Sequence, residues 1–305
     1  MIGLTLKHLR YLSALDTHRH FGRAAQACAI SQPALSIQIK ELEAMVGAPL
    51  VERNARQVRM TALGDDLVER ARAILVAVEE LSDVVRASQG EFVGRLRLGV
   101  IPTVAPYIFP QIVKTLSTLY PRLDVRPREA ITRALMDDVL GYRLDAAIVA
   151  LPISDPTLTE FALFEEDFVL VRHSAERTKP VPSPKRLQEM RLLLLEEGHC
   201  FRDQAISFCD LDGARTRDVM EGSSLSTLVQ MVGAGLGLTL IPEMAVPYET
   251  RSADVAVDRF AEACPSRTIG MVWRRSSPLA EELLKIGAIV RKIGQARRAE
   301  IAELC

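Results

Sequence analysis

Apolar residues recur along this chain with two periods, and the change between them divides it. Leu6, Leu9, Leu12 and Leu15 are three apart, as on one face of a short amphipathic helix. Phe21 to Gly47 reads FGRAAQACAISQPALSIQIKELEAMVG and predicts two helices broken at Ala29-Ile30-Ser31. Ala24 and Ala25 are small enough for close helix crossing, while Ser31 suits an N-cap and Pro33 a first helical turn. Beyond that break, Leu35, Ile39, Leu42 and Val46 share one face, and Gln32, Pro33, Ser36 and Lys40 share the other. LVERNARQVRMTALG then predicts a two-stranded wing carrying Arg53, Arg56 and Arg59. From Asp65 to Gln89 there is neither Pro nor Gly. Leu67, Ala71, Ile74, Val78, Leu81 and Val85 form a heptad seam there, of about three repeats.

After Gly90–Gly94 the pattern alternates between short apolar runs and helical spacing. Strands are expected at Leu96–Ile101, Leu123–Arg128, Leu144–Ala150, Phe168–Arg172, Leu192–Leu195, Leu238–Ile241 and Thr268–Trp273. Helices are expected at Pro106–Leu119, Ala134–Leu140 and about Pro278–Arg298. This is an α/β arrangement with mainly parallel sheets. The chain is expected to leave a first lobe near Phe161, build a second, and return near Ser266. The boundaries are therefore 1–64, 65–90 and 91–305, with lobe I at about 91–161 and 266–305 and lobe II at about 162–265. GAGLGLTLIP, Gly233–Pro242, opens no helix after a strand and reads as a tight connection, not a nucleotide loop.

Composition narrows the class. With 48% hydrophobic and 25% charged residues, the chain matches globular proteins, and its apolar runs are far too short to cross a bilayer. MIGLTLKHLR lacks the apolar core and cleavage site of a signal peptide, so a cytoplasmic protein without membrane association is expected. The net charge of −1 is uneven, because residues 1–64 carry eight Lys and Arg against four acidic side chains. A polyanion partner is expected for that segment alone. Five cysteines, an odd number, argue against a disulfide framework in a reducing compartment and leave free thiols, a metal site or a redox switch.

A helix with short polar groups near its N-terminus can enter the major groove, its positive end favouring phosphate. The competing reading is an ordinary helical hairpin with a solvated face. AAQACAISQPALSIQIKELEAMVGAPLVER, followed by an arginine and Thr61–Gly64, closely resembles the winged helix-turn-helix of LysR-type transcriptional regulators. Cys28 stands where that family usually has leucine and Val51 where it has phenylalanine. Both are apolar, so Cys28 is expected as a buried structural thiol. The resemblance implies promoter DNA as partner, contacted by Gln32, Pro33, Ser36 and Arg53, with the first three nearest base edges. It also implies a linker helix that pairs subunits into a homodimer or homotetramer, where packing within one chain is the alternative. The C-terminal half resembles the two-lobed, periplasmic-binding-protein-like effector domain of the same family. Thr103, after the first strand of this half, and Thr132, at the mouth of a helix, each suit a helix cap; both facing one cleft would make a polar pocket.

The last motif is GHCFRDQAISFC, Gly198–Cys209. Nine residues of helix turn the chain by roughly 900° and rise about 13.5 Å, which leaves the two thiols on opposite faces. A disulfide needs Cα atoms within about 7 Å. The pair therefore cannot bond while the helix persists, and the spacing suits a switch better than a staple. A metal site of His199, Cys200, Asp203 and Cys209 lacks a second CxxC or HxxxH, and two unreactive thiols are a further possibility. The segment resembles the redox segment of the peroxide-sensing LysR-type regulators. The resemblance implies hydrogen peroxide as signal, Cys200 as the reactive thiol and Cys209 as the resolving one. Thr103 and Thr132 would hold peroxide and water, with His199 flanking the sulfur, Asp203 supporting the peroxide site and Arg267 favouring the thiolate. It implies no cofactor, resetting by glutaredoxin or thioredoxin, oxidative refolding of residues around 199–213, and RNA polymerase as a further partner. A LysR-type regulator of an organic effector, or a thiol peroxidase with multiple turnovers, are the rival readings; the second leaves the amino-terminal module unexplained.

Overall fold

The computed structural model describes residues 3–54, 57–88, 92–187, 189–209, 220–260 and 264–304. The chain divides into two compact units, 1–85 and 86–305. In the first, α1 (Leu6–His18), α2 (Phe21–Ala27) and α3 (Gln32–Val46) precede a hairpin of β1 (Val51–Asn54) and β2 (Gln57–Met60), and α4 (Ala62–Ser88) follows. Each helix start has a cause. Thr5 and His8 form a reciprocal capping box on α1, and Ser31 Oγ accepts the Ala34 N–H at 3.3 Å on α3. Leu12, Leu15, Leu35, Ile39 and Leu42 are fully buried in one cluster, with Ala24 and Ala25 at the helix crossing. The Glu43 carboxylate takes the N–H groups of Leu50 and Val51 at 2.9 and 3.1 Å, which ties the end of α3 to the wing.

Cys28 is half-buried at the C-cap of α2, less enclosed than the expected buried thiol, and burial raises its pKa. Along α4 the heptad seam is buried at Ala71 but exposed at Ile74, Leu81 and Val85. Packing within the unit thus covers only its first turns. No described helix is long and apolar enough to cross a membrane.

The second unit runs β3 (Gly94–Val100), α5 (Ala105–Leu119), β4 (Leu123–Glu129), α6 (Thr132–Leu140) and β5 (Ala146–Leu151). Next come β6 (Leu158–His173), α7 (Pro184–Leu187), β7 (Leu192–Leu195), α8 (Cys200–Phe208), β8 (Met220–Gly222) and α9 (Leu225–Gly233). It ends with β9 (Leu238–Pro242), α10 (Val246–Glu249), β10 (Val255–Asp258), β11 (Ser266–Arg274) and α11 (Ala280–Leu304). The strand order is β4-β3-β5-β11-β6-β9-β7-β8, with β10 on β6.

The sheet is mixed, which corrects the expectation of mainly parallel pairing. β3 runs parallel to β4 and β5, and β7 to β8 and β9, but β6 and β11 are antiparallel to every neighbour. The reason is connectivity: β6 carries the chain out to the second lobe and β11 brings it back, so the two run opposite ways. β6 pairs with β11 up to Asp167 and with β9 from Phe168 onward, so one strand serves both lobes.

The first unit yields a test. Thr61 Oγ1 donates to Pro49 O at 2.9 Å and accepts the Gly64 N–H at 3.0 Å, and a Cβ on Gly64 would overlap the Leu50 carbonyl. Gly64→Ala should lower the stability of the amino-terminal unit by about 1–3 kcal/mol, the usual cost of overpacking, read as an earlier thermal transition of that unit.

Candidate functional site

The site is built where β7 ends. After Leu195 the chain turns through Gly198 at φ +96°, a conformation that favours glycine, and a Cβ there would lie 3.0 Å from Ile131 Cδ1. The turn before Cys200 is thereby set against the start of α6. Cys200 is the first residue of α8, at the end where a helix presents its unpaired N–H groups, and Cys209 is its C-cap. The helix buries Phe201, Arg202 and Ala205 together with Cys209, and leaves Cys200 half-buried. Cys28, Cys200, Cys209 and Cys264 are all free thiols. Desolvation pushes the Cys209 thiol up to about 12, so it stays protonated at neutral pH.

Arg267 is the centre of the site. Its side chain is fully enclosed; Nη1 donates to Thr103 Oγ1 at 2.8 Å and Nη2 to the Thr103 carbonyl at 3.1 Å. Nε and Nη2 grip Glu166 Oε2 at 2.9 and 2.7 Å. Glu166 also takes the Met244 N–H at 3.2 Å. Burial raises the Glu166 pKa and the Arg267 charge opposes that rise. The guanidinium carbon stands 5.4 Å from the centroid of Phe201 and 5.9 Å from that of Phe168, and the two rings meet edge to face at 4.7 Å. Arg267 is thus linked to α8 through the residue next to Cys200.

Of the other expected residues, Thr132 opens α6, and its hydroxyl is buried with no hydrogen-bond partner. His199 is the half-buried N-cap of α8, and burial lowers its imidazole pKa, which favours the neutral ring. Asp203 lies in the first turn of α8 with an exposed side chain, outside the buried cluster. Residues 210–213, expected to refold with the helix, fall outside the described residues. Among the described residues, no three His, Cys, Asp or Glu side chains are grouped to hold a metal ion.

Sequence reasoning missed four contributors. Glu166 sits in the run FEED of β6 with no local signal, because its partner lies 101 positions away. Phe201 lies inside the quoted motif, but its contact with Arg267 was not legible there. Gln204 lies inside the quoted motif, but its buried, unpaired Oε1 was not legible. Tyr107 on α5 donates to Glu249 on α10 at 2.8 Å, a bond between the two lobes, and Ser226 on α9 donates to the other carboxylate oxygen from within the second lobe.

The second candidate surface lies in the amino-terminal unit. Gln32 and Pro33 are exposed in the first turn of α3, Ser36 is half-buried one turn on, and Lys40 and Arg59 are exposed. The backbone of Arg53 lies on β1; its side chain and Arg56 fall outside the described residues. Ile37, 55% exposed, adds an apolar group beside this polar face that the pattern analysis passed over.

Residues 6–65 match the model of the bacterial regulatory helix-turn-helix proteins of the LysR family, and residues 89–291 match the LysR substrate binding domain. The chain belongs to the LysR family. Over 293 residues this LysR-family chain is 42% identical to a probable hydrogen peroxide-inducible genes activator of Streptomyces viridosporus, covering 94% of each. It is 39% identical over 292 residues to the DNA-binding transcriptional dual regulator OxyR of Escherichia coli K12, covering 94% of this chain and 95% of that one. Among solved structures, a hydrogen-peroxide-bound cysteine-to-serine mutant of Corynebacterium glutamicum OxyR superposes with a TM-score of 0.68 at 34% identity, over 98% of this chain and 95% of that one. A full-length OxyR variant of Pseudomonas aeruginosa gives 0.68 at 32%, over 95% of each.

Two measurements check the geometry of this LysR-family site. At pH 8 the Cys209 thiol should be alkylated by iodoacetamide about a thousandfold more slowly than a freely exposed cysteine, read by peptide mass spectrometry, since so little thiolate is present. Arg267→Met should destabilise the regulatory domain by about 3–5 kcal/mol in urea melts, because Glu166 is left buried without its partner. Adding Glu166→Leu should restore most of the loss.

Proposed function

We propose that this chain is a hydrogen-peroxide-sensing, DNA-binding transcription regulator whose switch is a reversible disulfide between Cys200 and Cys209. Its relatives are LysR-family transcriptional regulators, not enzymes. The observation that carries the proposal is the pair of free thiols at the two ends of α8, the first half-buried next to Phe201, whose ring Arg267 approaches, and the second enclosed.

The chemistry follows from that placement. The Cys200 thiolate attacks one oxygen of hydrogen peroxide, the O–O bond breaks, and hydroxide leaves to take up a proton as water. The unpaired Thr132 hydroxyl and Gln204 carbonyl oxygen are suited to bind the incoming peroxide and a water. Arg267 brings positive charge to the Phe201 side of the helix start. The Cys209 sulfur then displaces the sulfenic hydroxyl as water, leaving the disulfide. Two electrons pass from the thiols to peroxide, and a cellular dithiol of the glutaredoxin or thioredoxin type returns them. His199 and Asp203 flank the sulfur without joining the buried cluster.

Closing that bond requires α8 to unwind, since its ends stand about 13.5 Å apart along the axis and a disulfide tolerates about 7 Å between Cα atoms. The refolded segment changes how subunits pack, and with it the spacing of paired DNA modules. The exposed seam of α4 supports a homodimer or homotetramer. Gln32, Pro33 and Ser36 are proposed to meet base edges and Arg53 the phosphate backbone, with RNA polymerase engaged at the promoter in the cytoplasm. The cleft does not favour an organic effector, because Thr103 is only 3% exposed and its hydroxyl is taken by Arg267.

The deciding experiment treats the purified protein with one equivalent of hydrogen peroxide and maps non-reduced peptides by mass spectrometry. A Cys200–Cys209 link that disappears with dithiol reductant is expected; two intact thiols would sink the proposal. On DNA, Gln32→Ala should cost about 1–3 kcal/mol at the specific site and relax its sequence preference. Arg53→Ala should weaken binding to all sequences and reduce the salt slope by about one.

A further inference from the structure

We infer that the ion pair between Arg202 and Glu221 is a latch on the dithiol state, which sets how readily the Cys200 sulfenic acid passes on to a disulfide. The inference rests on the disulfide reading above and adds residues that neither the sequence motif nor the peroxide chemistry assigns.

Arg202 is the third residue of α8, and its side chain is 7% exposed. One guanidinium nitrogen, Nη1, donates to the carbonyl of Leu195 at 2.8 Å and to Glu221 Oε1 at 2.7 Å. Leu195 is the last residue of β7, just before the turn into Cys200. Glu221 is the middle residue of β8, beyond the segment that carries both thiols. A single side chain two positions from Cys200 therefore fastens the chain before the switch to the chain after it. The Glu196 N–H continues the fastening, donating to the Gly222 carbonyl at 3.1 Å.

The strand held this way is weak by itself. Among the described residues β8 has three positions, pairs only with β7, and ends the strand order. Without the guanidinium, three ladder positions, the Glu196–Gly222 hydrogen bond and packing against α9 would hold it. Glu221 is 40% exposed, so solvent screens its charge and the attraction is modest, whereas Arg202 is enclosed and costly to strand. Unwinding the first turns of α8 moves Arg202 off both acceptors at once. The helix cannot open far enough to join its two sulfurs while that side chain stays seated, so the pair opposes the condensation step and leaves the attack on peroxide untouched.

The test compares the full chain with Glu221→Ala and Glu221→Gln, both remote from the peroxide chemistry. In dithiothreitol redox buffers the Ala variant should favour the disulfide about tenfold more than the unsubstituted chain, a midpoint about 30 mV more negative. The Gln variant keeps an acceptor oxygen and should shift by less; it carries the test if the Ala variant fails to fold. Conversion of sulfenic acid to disulfide after one equivalent of peroxide should speed up about tenfold in the Ala variant. Sulfenic acid formation, trapped with dimedone in a Cys209→Ser background, should keep its rate. An unmoved midpoint with an unmoved condensation rate would overturn the latch, and so would a change confined to sulfenic acid formation. If the unsubstituted chain forms no Cys200–Cys209 disulfide, the switch itself falls; a disulfide whose midpoint ignores Glu221 removes the latch alone.

Discussion

The buried pairing of Arg267 with Glu166 is the constraint on which the regulatory domain turns. Both side chains are almost wholly removed from water, which is expensive for either ion alone. The cost is offset by saturation: the guanidinium meets the carboxylate twice and also the hydroxyl and carbonyl of Thr103, and the carboxylate takes a backbone N–H from Met244. Those partners come from β6, β11, the turn after β3 and the turn after β9. One ion pair thus joins both lobes, and its flat cation leaves a face for Phe201. The start of α8 owes its position to a charge rather than to apolar packing alone.

Around that centre, α8 meets two opposed demands. For the proposed switch it must be well enough held to keep two thiols apart, and loosely enough held to release one of them. Phe201, Ala205 and Cys209 provide the hold on its buried side, with Phe208 set edge to face on Phe260 at 5.2 Å. The N-cap works the other way: His199 offers the helix no side-chain hydrogen bond, unlike Ser31 at the start of α3. The helix proposed to read DNA is capped at its start, and the helix proposed to sense the signal is not.

The sequence was most legible where the causes were local. The amino-terminal helices follow from caps, small crossing residues and apolar spacing that all lie within a few positions of one another. The two thiols stood out for the same reason, although α8 itself is not among the helices the spacing predicts. The mixed sheet was not, because TEFALFEED alternates too weakly to announce itself as strand, and only Phe168–Arg172 stood out within β6. β8 and β10 are too short to carry a period. The site was legible in its sulfurs, threonines and Arg267, and illegible in Glu166, Arg202 and Gln204, whose roles arise from residues or burial that only the fold supplies.

The hydrogen bond from Tyr107 to Glu249 has a consequence for how this molecule can move. Two-lobed binding proteins commonly report a ligand by hinging one lobe over the other, a rigid-body signal. Here a hydrogen bond from Tyr107 to Glu249 already ties one lobe to the other, and the outgoing strand β6 is shared by both halves of the sheet. Little travel is left for the lobes. Under the proposed disulfide switch the change is one of secondary structure, and a signal carried by melting a helix is closer to all-or-none than one carried by the angle of a hinge.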